Sequence, residues 1–157
     1  MTRIEKATFG MGCFWEPDIF FSKIPGVLKT TVGFSGGMIP NPTYKNVCGG
    51  ETGHTEVVQI EFDPEKISFK ELLYYFWREH DASDPQKTQY KSVVFYENEE
   101  QKQLVEEGKK DEEARRGGKE VLTEVLPLQT FYLAEEYHQK YLEKVKRYVS
   151  PENSTGE

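Results

Sequence analysis

At 157 residues the chain has the length of one domain, and its formal charge of −7 has the wrong sign for a nucleic-acid binder, which rewards clustered cations. Only 36% of residues are hydrophobic and 30% are charged, yet ten Phe, nine Tyr and two Trp supply enough buried area to exclude a disordered polymer. No stretch nears the roughly 20 apolar residues of a membrane span or the shorter run of a secretory signal, and two cysteines are too few for a disulfide scaffold or a zinc site.

A cytoplasmic protein with inert or redox-active thiols is therefore expected. Residues 3–9 alternate weakly and predict a first strand, ended by Gly10 and Gly12. Cys13, Phe14 and Trp15 follow. From Trp15 the apolar residues fall at helical spacing (Trp15 with Ile19, Phe20 with Ile24), and Pro25-Gly26 closes the helix. Pro17 is tolerated only in a helix's first turn, so Cys13 is expected at the cap or just before it. Unpaired N–H groups and the helix dipole there favour thiolate, the nucleophilic form, whereas a small buried thiol is the plainer alternative.

Residues 27–34 read as a strand, and 35–53 as a long glycine-rich loop carrying Tyr44 and Cys48. Residues 54–62 alternate strictly, with His54, Glu56, Val58, Ile60 and Phe62 on one face. A carboxylate on a core face is costly when ionised and becomes a proton donor, whereas one at an exposed strand end stays a solvated charge. Both readings of Glu56 stand at this point. Ser68-Phe69-Lys70-Glu71 is a capping box opening a helix to about Glu79. A polar turn over 80–89 leads to a strand at 92–96, a charged surface helix spans 98–116, and a strand is expected at 120–126. A last helix from about Ala134 would align Tyr137, Tyr141, Val145 and Tyr148. One catalytic domain is expected over 1–149, with a disordered polar tail over 150–157. The pattern is α+β.

Tyr44 and Tyr90 could each hold a hydroxyl over a pocket, and His54 and His138 could be bases or merely hydrogen-bonded. Gly12-Cys13-Phe14-Trp15, Asn41-Pro42-Thr43-Tyr44, Thr52-Gly53-His54-Thr55-Glu56-Val57-Val58, Thr88-Gln89-Tyr90-Lys91-Ser92 and Glu135-Glu136-Tyr137-His138-Gln139-Lys140-Tyr141 occur in that order. Together they resemble peptide methionine sulfoxide reductase A over about residues 4–145.

The resemblance implies a split β-α-β (ferredoxin-like) core with added strands and a C-terminal helix. It implies reduction of the S epimer of methionine sulfoxide, free or in proteins, and so the repair of oxidised proteins. Cys13 corresponds to the nucleophile that becomes a sulfenic acid, and Glu56 to the acid. Tyr44 and Tyr90 correspond to hydroxyl partners of the sulfoxide oxygen, Phe14 and Trp15 to the wall receiving the methyl group, and Tyr141 to a packing tyrosine. No metal and no bound cofactor is expected. The partners implied are oxidised methionine and thioredoxin or a similar dithiol, with no nucleic acid or membrane; a monomer is expected.

Three departures stand out. Glu16-Pro17-Asp18 replaces two small residues and Glu, and the 82–87 loop is short, leaving Asp84, or else Asp81, as the aspartate near the site. The family's C-terminal recycling cysteines have no counterpart here, so Cys48 is the resolving candidate, with direct recycling by an external thiol as the alternative. Outside the family, a thiol peroxidase would want an arginine beside Cys13, which the adjoining sequence lacks, and a module that binds oxidised methionine would not need Cys13 at all.

Overall fold

The computed structural model describes residues 3–50 and 52–142. Six strands form one sheet: β1 (Glu5–Met11), β2 (Val27–Ser35), β3 (Thr55–Phe62), β4 (Ser92–Tyr96), β5 (Glu124–Pro127) and β6 (Tyr132–Leu133). Their order is β5-β4-β1-β3-β2-β6. β1 and β2 run the same way with antiparallel β3 between them, and β3 and β4 run the same way with β1 between them. Helix α1 (Trp15–Ser22) joins the first pair, and α3 (Phe69–Arg78) lies in the connection of the second. The architecture is α+β, as the element pattern predicts.

The main core lies between the sheet and these helices. Phe9 at the centre of β1 meets Phe76 of α3 at 4.9 Å and Phe21 of α1 at 5.8 Å between ring centroids. Strand alternation delivers the rest: Val58, Ile60 and Phe62 of β3 are all buried. Val57, on the opposite face, is buried too, because Phe95 and the partly buried Leu126, Leu128 and Phe131 cover it in a second small cluster. The capping box of α3 is complete: Ser68 Oγ accepts from Glu71 N–H, and Glu71 Oε1 accepts from Ser68 N–H, each at 3.0 Å. Helix α4 (Glu99–Arg115) is capped by Asn98 and packs on α3, β4 and β5.

Several expectations are corrected. The first helix stops at Ser22 rather than Ile24. The glycine-rich loop contains a short helix, α2 (Tyr44–Cys48), nucleated by a Thr43/Asn46 capping box that its low apolar content conceals. The strand expected at 120–126 is confined to Glu124–Pro127 and pairs parallel with β4. Where a last helix is expected from Ala134, just after β6, a 3-10 turn spans Glu136–His138 and α-helical backbone begins only at Tyr141. The rest of that helix and the 150–157 tail lie outside the described residues.

Candidate active site

β1 ends at Met11 and α1 begins at Trp15, so three residues must turn the chain at the end of this interior strand. Gly12 does so at φ +102°, a conformation costly for any side chain although nothing lies within 4 Å of where a Cβ would be. Cys13 emerges at the surface immediately before Phe14, the N-cap of α1, in the position expected. Phe14 has no side-chain capping bond. Two of the unpaired N–H groups at this helix start go instead to the reactive side chains: Phe14 N–H donates to Glu56 Oε1 at 3.2 Å, and Trp15 N–H to the Cys13 sulfur. The helix start is capped by the site itself.

The structure decides between the two readings of Glu56. Its side chain is fully buried. Its partners are neutral donors, Phe14 N–H and Gln89 Nε2 at 2.6 Å, while Lys87 acts only through its field. Loss of water raises its pKa, and the two hydrogen bonds and Lys87 oppose that rise without cancelling it. Burial thus makes Glu56 hold its proton more tightly than an ordinary carboxyl group, as a proton donor requires.

The expectation for Cys13 is corrected. Partial loss of water around the thiol pushes its pKa up more than the Trp15 N–H pulls it down, and the fields of Glu56, Glu16 and Cys48 add to the rise. The resting nucleophile is a thiol. Because Glu56 is one cause, neutral Glu56 favours ionised Cys13: the acid and the nucleophile are tuned to each other.

The two tyrosines converge with them. Tyr44 is raised above its ordinary range by burial, by its hydrogen bond with Cys48 and by Glu56. Tyr90 is raised by burial and by Glu56, Cys13 and Cys48, opposed by a hydrogen bond with Tyr44. Both keep their protons and can donate. Cys48, at the end of α2, is half-buried, and its sulfur accepts from Gln89 Nε2 at 3.1 Å.

An aromatic stack stands behind this cluster. Phe14 is closed off from solvent among Phe34, Tyr44 and His138, so the exposed ring surface is that of Trp15, which stacks on Tyr141 at 4.0 Å. Trp15 Nε1 donates to His138 Nδ1 at 3.0 Å, which places the imidazole proton on Nε2; burial lowers the His138 pKa and keeps the ring neutral. His138 is an orienting group for Trp15. His54 instead fastens the glycine-rich loop, since its Nδ1 accepts from Gly37 N–H at 3.0 Å and its Nε2 donates to Ile39 O at 2.7 Å. A Cβ at Gly37 would collide with Thr52 O, so only glycine lets the loop close this tightly on His54.

Asp81 and Asp84 both line an open cavity of about 260 Å³ with Cys13, Tyr90 and His80. Both are exposed; the Asp81 carboxylate is engaged by Ser83 and Arg116, whereas Asp84 meets Gln86, leaving Asp84 the freer of the two. Gln89 is the residue that sequence reasoning passes over. It lies in the Thr88-Gln89-Tyr90 motif, but only the fold reveals that its amide bridges Glu56 and Cys48. Among the described residues no cluster of three or more His, Cys, Asp or Glu could hold a metal ion, and no helix is long and apolar enough to cross a membrane.

Comparison with known proteins agrees with this chemistry. The family model described as "Peptide methionine sulfoxide reductase" matches residues 5–155. The peptide methionine sulfoxide reductase MsrA of Sulfolobus acidocaldarius is 46% identical over 151 residues, 92% of this chain and 85% of its own. Among solved structures, methionine sulfoxide reductase A of Corynebacterium diphtheriae superposes with a TM-score of 0.80 at 36% identity, over 90% of this chain and 74% of that one. Reduced Mxr1 of Saccharomyces cerevisiae gives 0.85 at 31% identity, over 90% and 86%.

Proposed function

The chain belongs to the peptide methionine sulfoxide reductase family, and on that premise we propose how its site reduces the S epimer of methionine sulfoxide, in proteins or free. It is an oxidoreductase. The observation that carries the mechanism is the pairing of Cys13 with a fully buried carboxyl group whose hydrogen-bond donors are all neutral.

Sulfoxide oxygen leaves sulfur only once it is protonated. Glu56 supplies that proton, and the Tyr44 and Tyr90 hydroxyls donate hydrogen bonds to the same oxygen. As Glu56 and the oxygen share the proton, Cys13 sulfur attacks the substrate sulfur. Cys13 gives its own proton to water and forms an S–S bond to the substrate sulfur. The hydroxyl carrying the Glu56 proton then passes from that sulfur to Cys13 as the substrate S–O and the S–S bonds break, the S–S electron pair leaves with methionine, and Cys13 is left as a sulfenic acid. Trp15, backed by Phe14 and held by His138, receives the substrate methyl, and Asp84 lies at the rim for the substrate's polar part.

Cys48 then attacks the Cys13 sulfur, the S–O bond breaks, water leaves and a Cys13–Cys48 disulfide forms. An external dithiol such as thioredoxin reduces it. The Gln89 amide holds Cys48 in the same cluster as Glu56, which supports this route. The strand order β4-β1-β3-β2 with its two helical crossovers supports the split β-α-β, ferredoxin-like reading of the core.

The test is turnover of separated S and R epimers with dithiothreitol. Reduction of S alone, abolished in Cys13→Ser, is the expected result. Equal reduction of both epimers would overturn the epimer assignment, and turnover by Cys13→Ser the nucleophile assignment. Mass spectrometry after one turnover without reductant reads the recycling step. The expected product is the disulfide, and a persistent sulfenic acid beside free Cys48 would overturn it.

A further inference from the structure

We propose that Gln89 is a positioning residue that couples the charge of Glu56 to the reactivity of Cys48, so that proton donation by the acid readies the second cysteine. The inference rests on the reductase reading above and adds a link between its two halves.

Gln89 is 3% exposed. Both hydrogens of its Nε2 are committed, one to Glu56 Oε2 at 2.6 Å and one to Cys48 Sγ at 3.1 Å. Its Oε1 is buried and has no hydrogen-bond partner among the described residues. An amide presents two donors on one side and two lone pairs on the other. With nitrogen inward it suits a carboxylate and a sulfur that both accept. With oxygen inward it suits a carboxylic O–H and a thiol S–H that both donate. The partnerless Oε1 marks the nitrogen-inward state as one held by its partners, chiefly through the short bond to Glu56.

The order of events follows. While Glu56 carries its proton, the charge-assisted bond from Gln89 is absent and the amide can turn its oxygen to the acid and the thiol. Once Glu56 has passed its proton to the sulfoxide oxygen, the carboxylate draws nitrogen inward, because a bond to an ionised acceptor is about twice as strong as a neutral one. The same nitrogen then donates to Cys48 sulfur, the bond seen at 3.1 Å, and holds that sulfur in place for attack. This coincides with the arrival of the hydroxyl on Cys13, when a nucleophile is needed.

The experiment follows alkylation of Cys48 by iodoacetamide in the resting protein, read peptide by peptide by mass spectrometry on the alkaline side of the Glu56 titration, where the carboxylate is charged. Four proteins are compared: unmodified, Glu56→Gln, Gln89→Met and the double variant. Gln89→Met keeps the volume without a donor and should slow Cys48 about tenfold, the effect of losing one hydrogen bond to the attacking sulfur.

The sign of the Glu56→Gln effect decides the matter. Simple charge repulsion predicts that removing the carboxylate speeds Cys48 in either background. Coupling through Gln89 predicts slowing when Gln89 is present and speeding when it is Met. Equal acceleration in both backgrounds would overturn the proposal. Gln89→Asn, whose amide is too short to span both partners, repeats the test should the Met variant fold poorly. Failure of the unmodified protein to reduce sulfoxide would overturn the functional reading and leave the resting-state sign change to be read separately.

Discussion

Among the described residues two carboxylates are fully buried, Glu56 and Asp18, and they are treated in opposite ways. Asp18, on α1, is matched by a cation. Its Oδ1 accepts from Lys140 Nζ and from Thr30 Oγ1, each at 2.7 Å, and its Oδ2 accepts from Lys140 N–H, also at 2.7 Å. Lys140 holds a φ of +57° to deliver both its backbone and its ammonium, a conformation unfavourable for a side-chain-bearing residue that the ion pair stabilises. Glu56 is offered neutral donors and a distant lysine. A buried charge with a full set of partners is a clamp, whereas one with an incomplete set is a proton in waiting. The same physics thus makes one carboxylate a fastening between α1 and the segment after β6, and the other a reagent.

The sharpest way to break this comparison is to remove each charge and ask which property fails. Glu56→Gln should lower kcat/KM for methionine sulfoxide by roughly a thousandfold, within the range for a general acid and equivalent to about 4 kcal/mol. Its urea midpoint should be unchanged or higher, since the amide retains hydrogen-bonding groups and loses an unpaired buried charge. A stability loss as large as the activity loss would put Glu56 with Asp18 as a structural ion.

Asp18→Asn should do the reverse. It strands the Lys140 ammonium and weakens three hydrogen bonds, and breaking such a pair from one side costs about 3 kcal/mol. Chemical denaturation should show that loss. The KM should rise with little change in kcat, because Lys140 closes the segment carrying His138, and His138 orients Trp15. A kcat loss comparable to that of Glu56→Gln would refute the division of labour.

The pH dependence refines the contrast. The folded-state pKa of Glu56 is raised, so its contribution to stability is fully present below the ordinary carboxylate value of about 4.3 and is lost as pH rises through the folded value. Unmodified protein should therefore lose stability relative to Glu56→Gln over that window, by at most about 1.4 kcal/mol per pH unit for one proton. Its kcat/KM should fall across the same rise as the acid is used up. His80 is buried with a lowered pKa, so its contribution is present above about 6.5 and lost as pH falls through its folded value, in both proteins alike. The difference between the two curves isolates Glu56.

How much of this can be read from the chain depends on the range of the forces involved. Strand alternation puts Glu56 on the core face with Val58 and Ile60, and the constraint on Pro17 puts Cys13 at the helix start. Both are short-range patterns, and the fold bears them out. Whether Glu56 is buried or solvated depends on Gln89, 33 residues away. The Trp15–His138 bond spans 123 residues and the Asp18–Lys140 clamp 122. No periodicity encodes such pairs. The rise in the Cys13 pKa escapes the sequence for a related reason: the helix start is local and visible, whereas the loss of water and the field of Glu56 arise only when β3 lies beside it. Helix α2 escapes because its capping box carries Asn at the third position and has little apolar sequence behind it.

A third carboxylate completes the series at its weakest end. Glu71 is exposed, accepts from Ser68 N–H and so closes the capping box of α3. It meets no cation in that motif and is not desolvated, so its worth is that of one solvated hydrogen bond and a favourable position near the helix dipole. Glu71→Ala should cost about 0.5 kcal/mol and Ser68→Ala about 1 kcal/mol, the range for lost caps, with turnover unaltered. Thermal denaturation with a parallel activity assay checks both. If Glu71→Ala cost as much as Asp18→Asn, burial would not be what separates these carboxylates. The expected descent, from the reagent Glu56 through the clamp Asp18 to the cap Glu71, follows how much water each has given up and what replaced it.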